Sequence, residues 1–233
     1  CHGVAKSGPR RRRAEFETKG SDPVIDLYTW NTPNGRKVSI MLEELGMPYK
    51  VHAINITKDE QMTPEFLKIS PNNKIPAIVD NDEDIAMMES GAILIYLAEK
   101  TGQLLSTERR TRLKTLEWLM FQMGGVGPML GQAHHFLHFK PDVSDYASKR
   151  YAEEAKRLYG VMDRRLGESP YLAGSDYSIA DIATWPWISR FEWQRIDLNE
   201  FPNVLRWYVE IAARPAVRKG YDVPRKVSDI PVP

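Results

Sequence analysis

The chain has 233 residues, 42% hydrophobic and 27% charged, with a formal net charge of +1. These values suit a globular protein of one large or two smaller domains. They argue against a dedicated nucleic-acid binder, which carries a strong basic excess, and no apolar run approaches the ~20 residues that a membrane-spanning helix needs.

The charge is uneven. Residues 1–22 hold six Lys/Arg and three Asp/Glu, which leaves 26 Lys/Arg against 28 Asp/Glu in the remainder. Residues 1–23 read as a disordered basic tail, and Arg10–Arg13 as part of it instead of a localisation signal. The tail has no apolar core of the secretory kind. The single cysteine, Cys1, permits no intramolecular disulfide and fits a reducing compartment, so the expected location is the cytoplasm.

From Val24 the pattern becomes periodic. VIDLYTW reads as a buried strand, and Val38, Met41, Leu42 and Leu45 recur at helical spacing before Gly46 closes the helix. YKVHAIN (49–55) is a second strand, so strand–helix–strand predicts a parallel βαβ unit. TPEFLKIS (63–70) is a short helix with Pro64 in its first turn. KIPAIVDNDEDIAMM (74–88) is a hairpin around Asn81–Asp84, and ESGAILIYLAEKTG (89–102) a helix with Ser90 as N-cap and Gly102 just past its end. The order βαβ, α, ββα is that of the thioredoxin fold.

After Gly102 the strands stop. Helical spacing runs over 108–139, where Gly124, Gly125, Gly127 and Pro128 break or kink the helix, and again over 144–167. Residues 178–196 open on a Ser178-x-x-Asp181 capping box and contain Pro186 as a kink, with Trp185 and Trp187 assigned to the core. Residues 202–217 form a helix ended by Pro215, and the Pro-rich stretch after Tyr221 is irregular. The predicted fold is therefore α/β plus all-α: a thioredoxin-like domain over 24–102, then an all-helical domain over 103–233.

Three places in the first domain carry candidate chemistry. Ile75-Pro76 opens a strand and is a candidate for a cis bond that would present the Ile75 backbone as a docking edge. Glu89-Ser90-Gly91 starts a helix whose exposed N–H groups favour a carboxylate, while Glu89 can accept from an ammonium; together they would hold an amino-acid head group. Taken singly, the same stretch reads as a capped helix with a surface Glu. Thr32-Pro33-Asn34-Gly35 opens the first helix, where the dipole plus one donor from Thr32 or Asn34 can supply the ~2 kcal/mol that lowers a thiol pKa from ~8.5 to about 7. Thr32 alone also reads as a plain N-cap. His134, His135 and His138 lack the Cys or acidic partners of a metal site and read as packing residues, and Asp181 reads as structural.

In order and spacing, TPNGRKVSIMLEELGMPYK, PEFLKISPNNKIPAIVD, ESGAILIYLAEKTG, GGVGPMLGQAHHF and YLAGSDYSIADIATWPW resemble the glutathione transferases, the nu class in particular, over roughly residues 24–220. The resemblance implies a homodimer. It implies that Asn34, Gln61, Lys74, Ile75, Pro76, Glu89, Ser90 and Arg150 bind glutathione and that Thr32 and Asn34 stand where other classes place a catalytic Ser or Cys. It further implies one or two glutathione molecules, or glutathione disulfide, as bound co-substrate without a metal. Trp30-Asn31 and the short turn at 80–85 depart from the expected pattern at the cleft rim.

With no cysteine after residue 1, thiol chemistry must run on glutathione sulfur. The expected activity is glutathione-dependent disulfide reduction with organic peroxide reduction beside it, acting on small thiols, disulfides and peroxides. The alternatives are transfer of glutathione to electrophiles, removal of glutathione from aromatic conjugates, and a non-catalytic glutathione-binding regulator.

Overall fold

The computed structural model describes residues 24–233; the basic tail lies outside them. Strand β1 (Ile25–Thr29) leads through Thr32 into helix α1 (Pro33–Leu45), then β2 (Tyr49–Ala53), α2 (Pro64–Ile69), β3 (Ala77–Asp80), β4 (Ile85–Met88) and α3 (Ser90–Thr101). The sheet order is β2-β1-β3-β4, with β1 and β2 parallel and the other pairs antiparallel. Two short 3₁₀ turns, Ile56–Lys58 and Glu60–Met62, fill the span between β2 and α2.

Helix α1 starts where the sequence predicts because Thr32 Oγ1 accepts from Gly35 N (3.1 Å) with Pro33 in the first turn. Gly35 is there for space. A Cβ would strike the Trp30 carbonyl oxygen and come within 2.5 Å of Thr29 Oγ1. The first turn of α1 thus sits directly against the end of β1. At the other end Gly46 takes the left-handed conformation and closes the helix.

The remaining elements are α4 (Arg109–Phe121), α5 (Gly127–His134), α6 (Asp145–Glu168), α7 (Ile179–Ile188), α8 (Pro202–Ala212) and α9 (Pro215–Tyr221). Residues Gln122–Val126 and His135–Phe139 are π-helical turns, so the expected break at the glycines is a widened turn within a continuing helix. Pro215 does more than end a helix: it opens α9, because proline's missing N–H costs nothing in a first turn. Helix α7 stops at Ile188, two residues past Pro186.

The two halves share one apolar core, with α1 packed against α3, α7 and α9. Gly220 permits the closest approach, since a Cβ there would lie 2.6 Å from Ile40 Cα. Across that contact Ser39 Oγ donates to Gly220 O (2.7 Å), Arg36 Nε donates to Tyr221 O (3.0 Å), and Arg214 pairs with Glu44 through two bonds of 2.6 and 2.7 Å. In the second half Asp181 is fully buried and accepts from Leu172 N, Ser178 N, Ser178 Oγ and Trp207 Nε1. Burial nevertheless pushes its carboxyl up to about 6. Among the described residues no helix is long and apolar enough to cross a membrane.

Candidate functional site

Two adjoining cavities open where α1 meets the loops that follow β2 and α2. The narrower, about 160 Å³, is lined by Asn34, Lys74, Ile75, Pro76, Glu89, Ser90 and Met123, among others. The wider, about 520 Å³, is lined by Trp30, Thr32, Asn34, Gln61, Lys74, Ile75, His134, Trp187, Arg190 and Trp193, among others. Asn34, Lys74 and Ile75 belong to both, so the cavities meet at the first turn of α1.

The narrow cavity is polar. Ser90 is the first residue of α3 and not its N-cap; Glu89 holds that position at φ 70, with no side-chain cap bond. The Ser90 hydroxyl instead accepts from Lys37 Nζ (3.2 Å) and points its hydrogen to Met123 Sδ (3.7 Å). A non-glycine residue at positive φ stores strain that the surrounding packing must hold. The α3 amides and the Ser90 hydroxyl can meet a carboxylate, and Glu89 an ammonium. The Ile75-Pro76 bond is cis, and Ile75 takes no hydrogen-bond partner among the described residues.

Lys37 is buried beneath this site. Its ammonium donates to Ser90 Oγ, to Gln122 Oε1 (2.6 Å) and to Met123 Sδ (3.4 Å). Burial pulls its pKa down to about 7, opposed by the charge of Glu89. One side chain thus ties α1, α3 and the first π-helical turn together behind the cavity.

At the junction, Trp187 Nε1 donates to Asn34 Oδ1 (3.0 Å). Indole N–H is only a donor, so the bond fixes the Asn34 amide with its NH2 group as the remaining donor. Thr32 Oγ1 accepts from Gly35 N, which leaves its hydroxyl hydrogen to donate elsewhere. Both groups stand on the first turn of α1, at the positive end of its dipole. The buried oxygens Gln61 Oε1 and Asn73 Oδ1, on residues of the wide cavity, have no partner among the described residues. A ligand carrying N–H donors, such as a peptide, would satisfy them.

The wide cavity is aromatic. His134 stacks on Trp187 (5.5 Å between centroids) and meets Trp193 edge-on, while His138 stacks on Trp193 (4.3 Å). Gln194 Nε2 donates to His134 Nε2 (2.9 Å), and burial holds the imidazole down to about 4, so it stays neutral near pH 7. The histidines pack, and no group of three or more His, Cys, Asp or Glu suited to a metal ion occurs among the described residues.

Known proteins agree with this architecture. The family model for the glutathione S-transferase N-terminal domain matches residues 27–104, and that for the C-terminal domain residues 126–215. The chain belongs to the glutathione transferase family. It is 53% identical over 198 residues to the disulfide-bond oxidoreductase YfcG of Escherichia coli, covering 83% of this chain and 92% of the relative. A glutathione transferase structure from Burkholderia graminis, with two glutathione molecules per subunit, is 45% identical at a TM-score of 0.83 and covers 88% of this chain and 90% of its own. One from Pseudomonas putida, with one glutathione disulfide per subunit, has the same identity and TM-score and covers 87% and 92%.

In this glutathione transferase, eight of the nine residues named from sequence line the paired cavities: Thr32, Asn34, Gln61, Lys74, Ile75, Pro76, Glu89 and Ser90. Arg150 stands apart, exposed on α6 and lining neither. The structure adds Arg190 and Trp187 to the wide cavity and Lys37 beneath the narrow one. Trp185 and Trp187 are both buried in the core as expected, and Trp187 in addition donates from its indole to Asn34. Their spacing held that signal, because residues two apart on a helix do not share a face.

Proposed function

We propose that this chain is a glutathione-dependent disulfide-bond reductase that works through the sulfur of bound glutathione. The observation that carries the reading is the first turn of α1, where the Asn34 amide, oriented by Trp187, and the Thr32 hydroxyl present two donors at the point where the cavities meet. A thiolate there gains from the helix dipole and from both donors, and about 2 kcal/mol lowers a thiol pKa from ~8.5 to about 7. Glu89 and Ser90 would hold the γ-glutamyl ammonium and carboxylate, Ile75 the peptide backbone, and Gln61 and Lys74 the far end. Arg150 is proposed as a more distant contact, reached from the cleft or a partner copy.

The reaction balances without a protein cysteine. One glutathione thiolate attacks the substrate disulfide and releases one thiol. The second glutathione resolves the mixed disulfide, so two glutathiones lose two electrons and two protons and the substrate leaves as two thiols. An organic peroxide takes up the same electrons and protons to give an alcohol and water. The relatives support this reading: YfcG is a disulfide-bond oxidoreductase, and the solved neighbours hold two glutathiones or their disulfide. We further propose a nu-class homodimer in the cytoplasm, with residues 24–102 as the glutathione-binding domain and 103–233 as the other cleft wall.

The test is reduction of a small model disulfide by glutathione, comparing the wild type with Cys1→Ser, Asn34→Ala and Thr32→Ala. Activity that survives the first change and falls in either of the others supports chemistry on glutathione sulfur. Glutathione binding with no turnover above the uncatalysed rate defeats it and turns the assignment to transfer chemistry or a binding role.

A further inference from the structure

The wide cavity is unbalanced in charge. Lys74 and Arg190 line it, and no Asp or Glu does among the described residues; the acid of the site, Glu89, faces the narrow cavity. Arg190 lies just past the end of α7, with its guanidinium carbon 4.5 Å from the Trp193 ring centroid. It forms no ion pair among the described residues, and its Nε is buried without a hydrogen-bond partner.

Among the described residues the neighbours of Arg190 supply no acceptor to its Nε. His134 is neutral with Nε2 already accepting from Gln194, and the Arg190 charge, after burial, helps keep it so. The charge of Arg190 also reaches the buried Arg36, whose own terminal nitrogens have no partner among the described residues. Arg190 is half-buried, and its buried Nε–H left unmatched costs stability. Such a donor is satisfied by an acceptor brought from outside, and a guanidinium fits a carboxylate through two parallel bonds. Beside it Trp187 and Trp193 offer flat apolar faces.

We infer that the wide cavity selects aromatic thiols and disulfides bearing a carboxylate, and that Arg190 is the residue that sets this specificity. The inference rests on reading the wide cavity as the seat of the second substrate. A site built to satisfy a polar group discriminates strongly against the analogue that lacks it, whereas aromatic contact alone does not.

The test uses 4,4′-dithiodibenzoate and its neutral diamide as matched disulfides, with glutathione as reductant and each kcat/KM divided by the uncatalysed rate. The wild type is expected to favour the acid about tenfold or more. Arg190→Met brings the ratio close to one, and Arg190→Lys restores part of it. An amide reduced as well as the acid by the wild type, or a preference that survives Arg190→Met, overturns the inference. The wild-type comparison stands even where a variant fails to fold. Binding of 4-(methylthio)benzoate and its amide, read by tryptophan fluorescence, separates the two proposals because neither compound has a disulfide to reduce. Preference for the acid without disulfide turnover defeats the reductase and keeps the selectivity. Turnover of both disulfides without preference does the reverse.

Discussion

The narrow and wide cavities share three residues but are built in opposite ways. The narrow one is made of backbone and local motifs: a helix N-terminus, the Ile75-Pro76 strand start, and Glu89-Ser90 side by side. The wide one is made of side chains that lie more than a hundred residues apart, with Trp30 and Asn34 facing Trp187 and Arg190. The first kind of site depends on motifs that are each encoded within a few residues. The second kind changes when single side chains change, which suits it to the variable partner of a reaction.

That contrast can be broken most forcefully at Asp181, whose hydrogen bonds anchor the start of α7 and so carry Trp187. Asp181→Ala removes a capping box and leaves the buried Leu172 N and Trp207 Nε1 without an acceptor, so unfolding free energy should fall by roughly 3–5 kcal/mol in denaturant titration. Loss of glutathione binding together with aromatic-ligand binding would show that the cavities are not independent.

Lys37 supports the narrow cavity alone. Its pKa of about 7 in the fold lies below its ordinary value of 10.5, so between those two values the unfolded chain holds a proton that the folded one lacks. Stability therefore rises with pH across that window, by at most about 1.4 kcal/mol per unit, and the full cost of the buried charge is present below it. Lys37→Met should flatten the rise in pH-dependent unfolding and raise the KM for glutathione. A pH dependence identical to wild type would mean that the lysine is not the group titrating.

Kinetic separation comes next in size. Asn34→Ala should cut kcat/KM for disulfide reduction about 100-fold, because the residue serves both cavities. Ser90→Ala should raise the glutathione KM roughly 10-fold while leaving the KM for the disulfide unchanged. A matching rise in both would merge the two regions into one. The smallest effect is expected for Trp187→Phe, which keeps the ring but removes the donor to Asn34; a loss of roughly 3- to 10-fold in kcat/KM reports the worth of orienting that amide.

The local elements were legible because each rests on nearest-neighbour physics. Thr32 with Pro33 starts α1, Gly46 ends it, and Ser178 with Asp181 starts α7, all as the spacing predicts. The sequence misled where a side chain had a competing partner from elsewhere. Ser90 has the composition of an N-cap, but it is the first helical residue with its hydroxyl on Lys37, and Glu89 holds the cap position at positive φ. Trp187 is core as its sequence context predicts, and what the sequence leaves out is the acceptor its N–H finds across the cleft at Asn34. Pro215 reads as a stop and is also a start, because only the packing of α9 on α1 decides whether a new helix is worth forming.

By itself, then, the sequence determined the two-part architecture, the start of α1, and the absence of cysteine from residue 2 onward. It also marked the narrow cavity, because helix starts and strand edges are encoded within a few residues. Only the tertiary structure decided that Lys37 lies buried under Ser90, that Trp187 orients Asn34, and that Arg190 faces an aromatic cavity with no carboxylate among its described lining residues. Those juxtapositions join α1 to elements up to about 150 residues away, and residues so distant meet only when the whole core has closed.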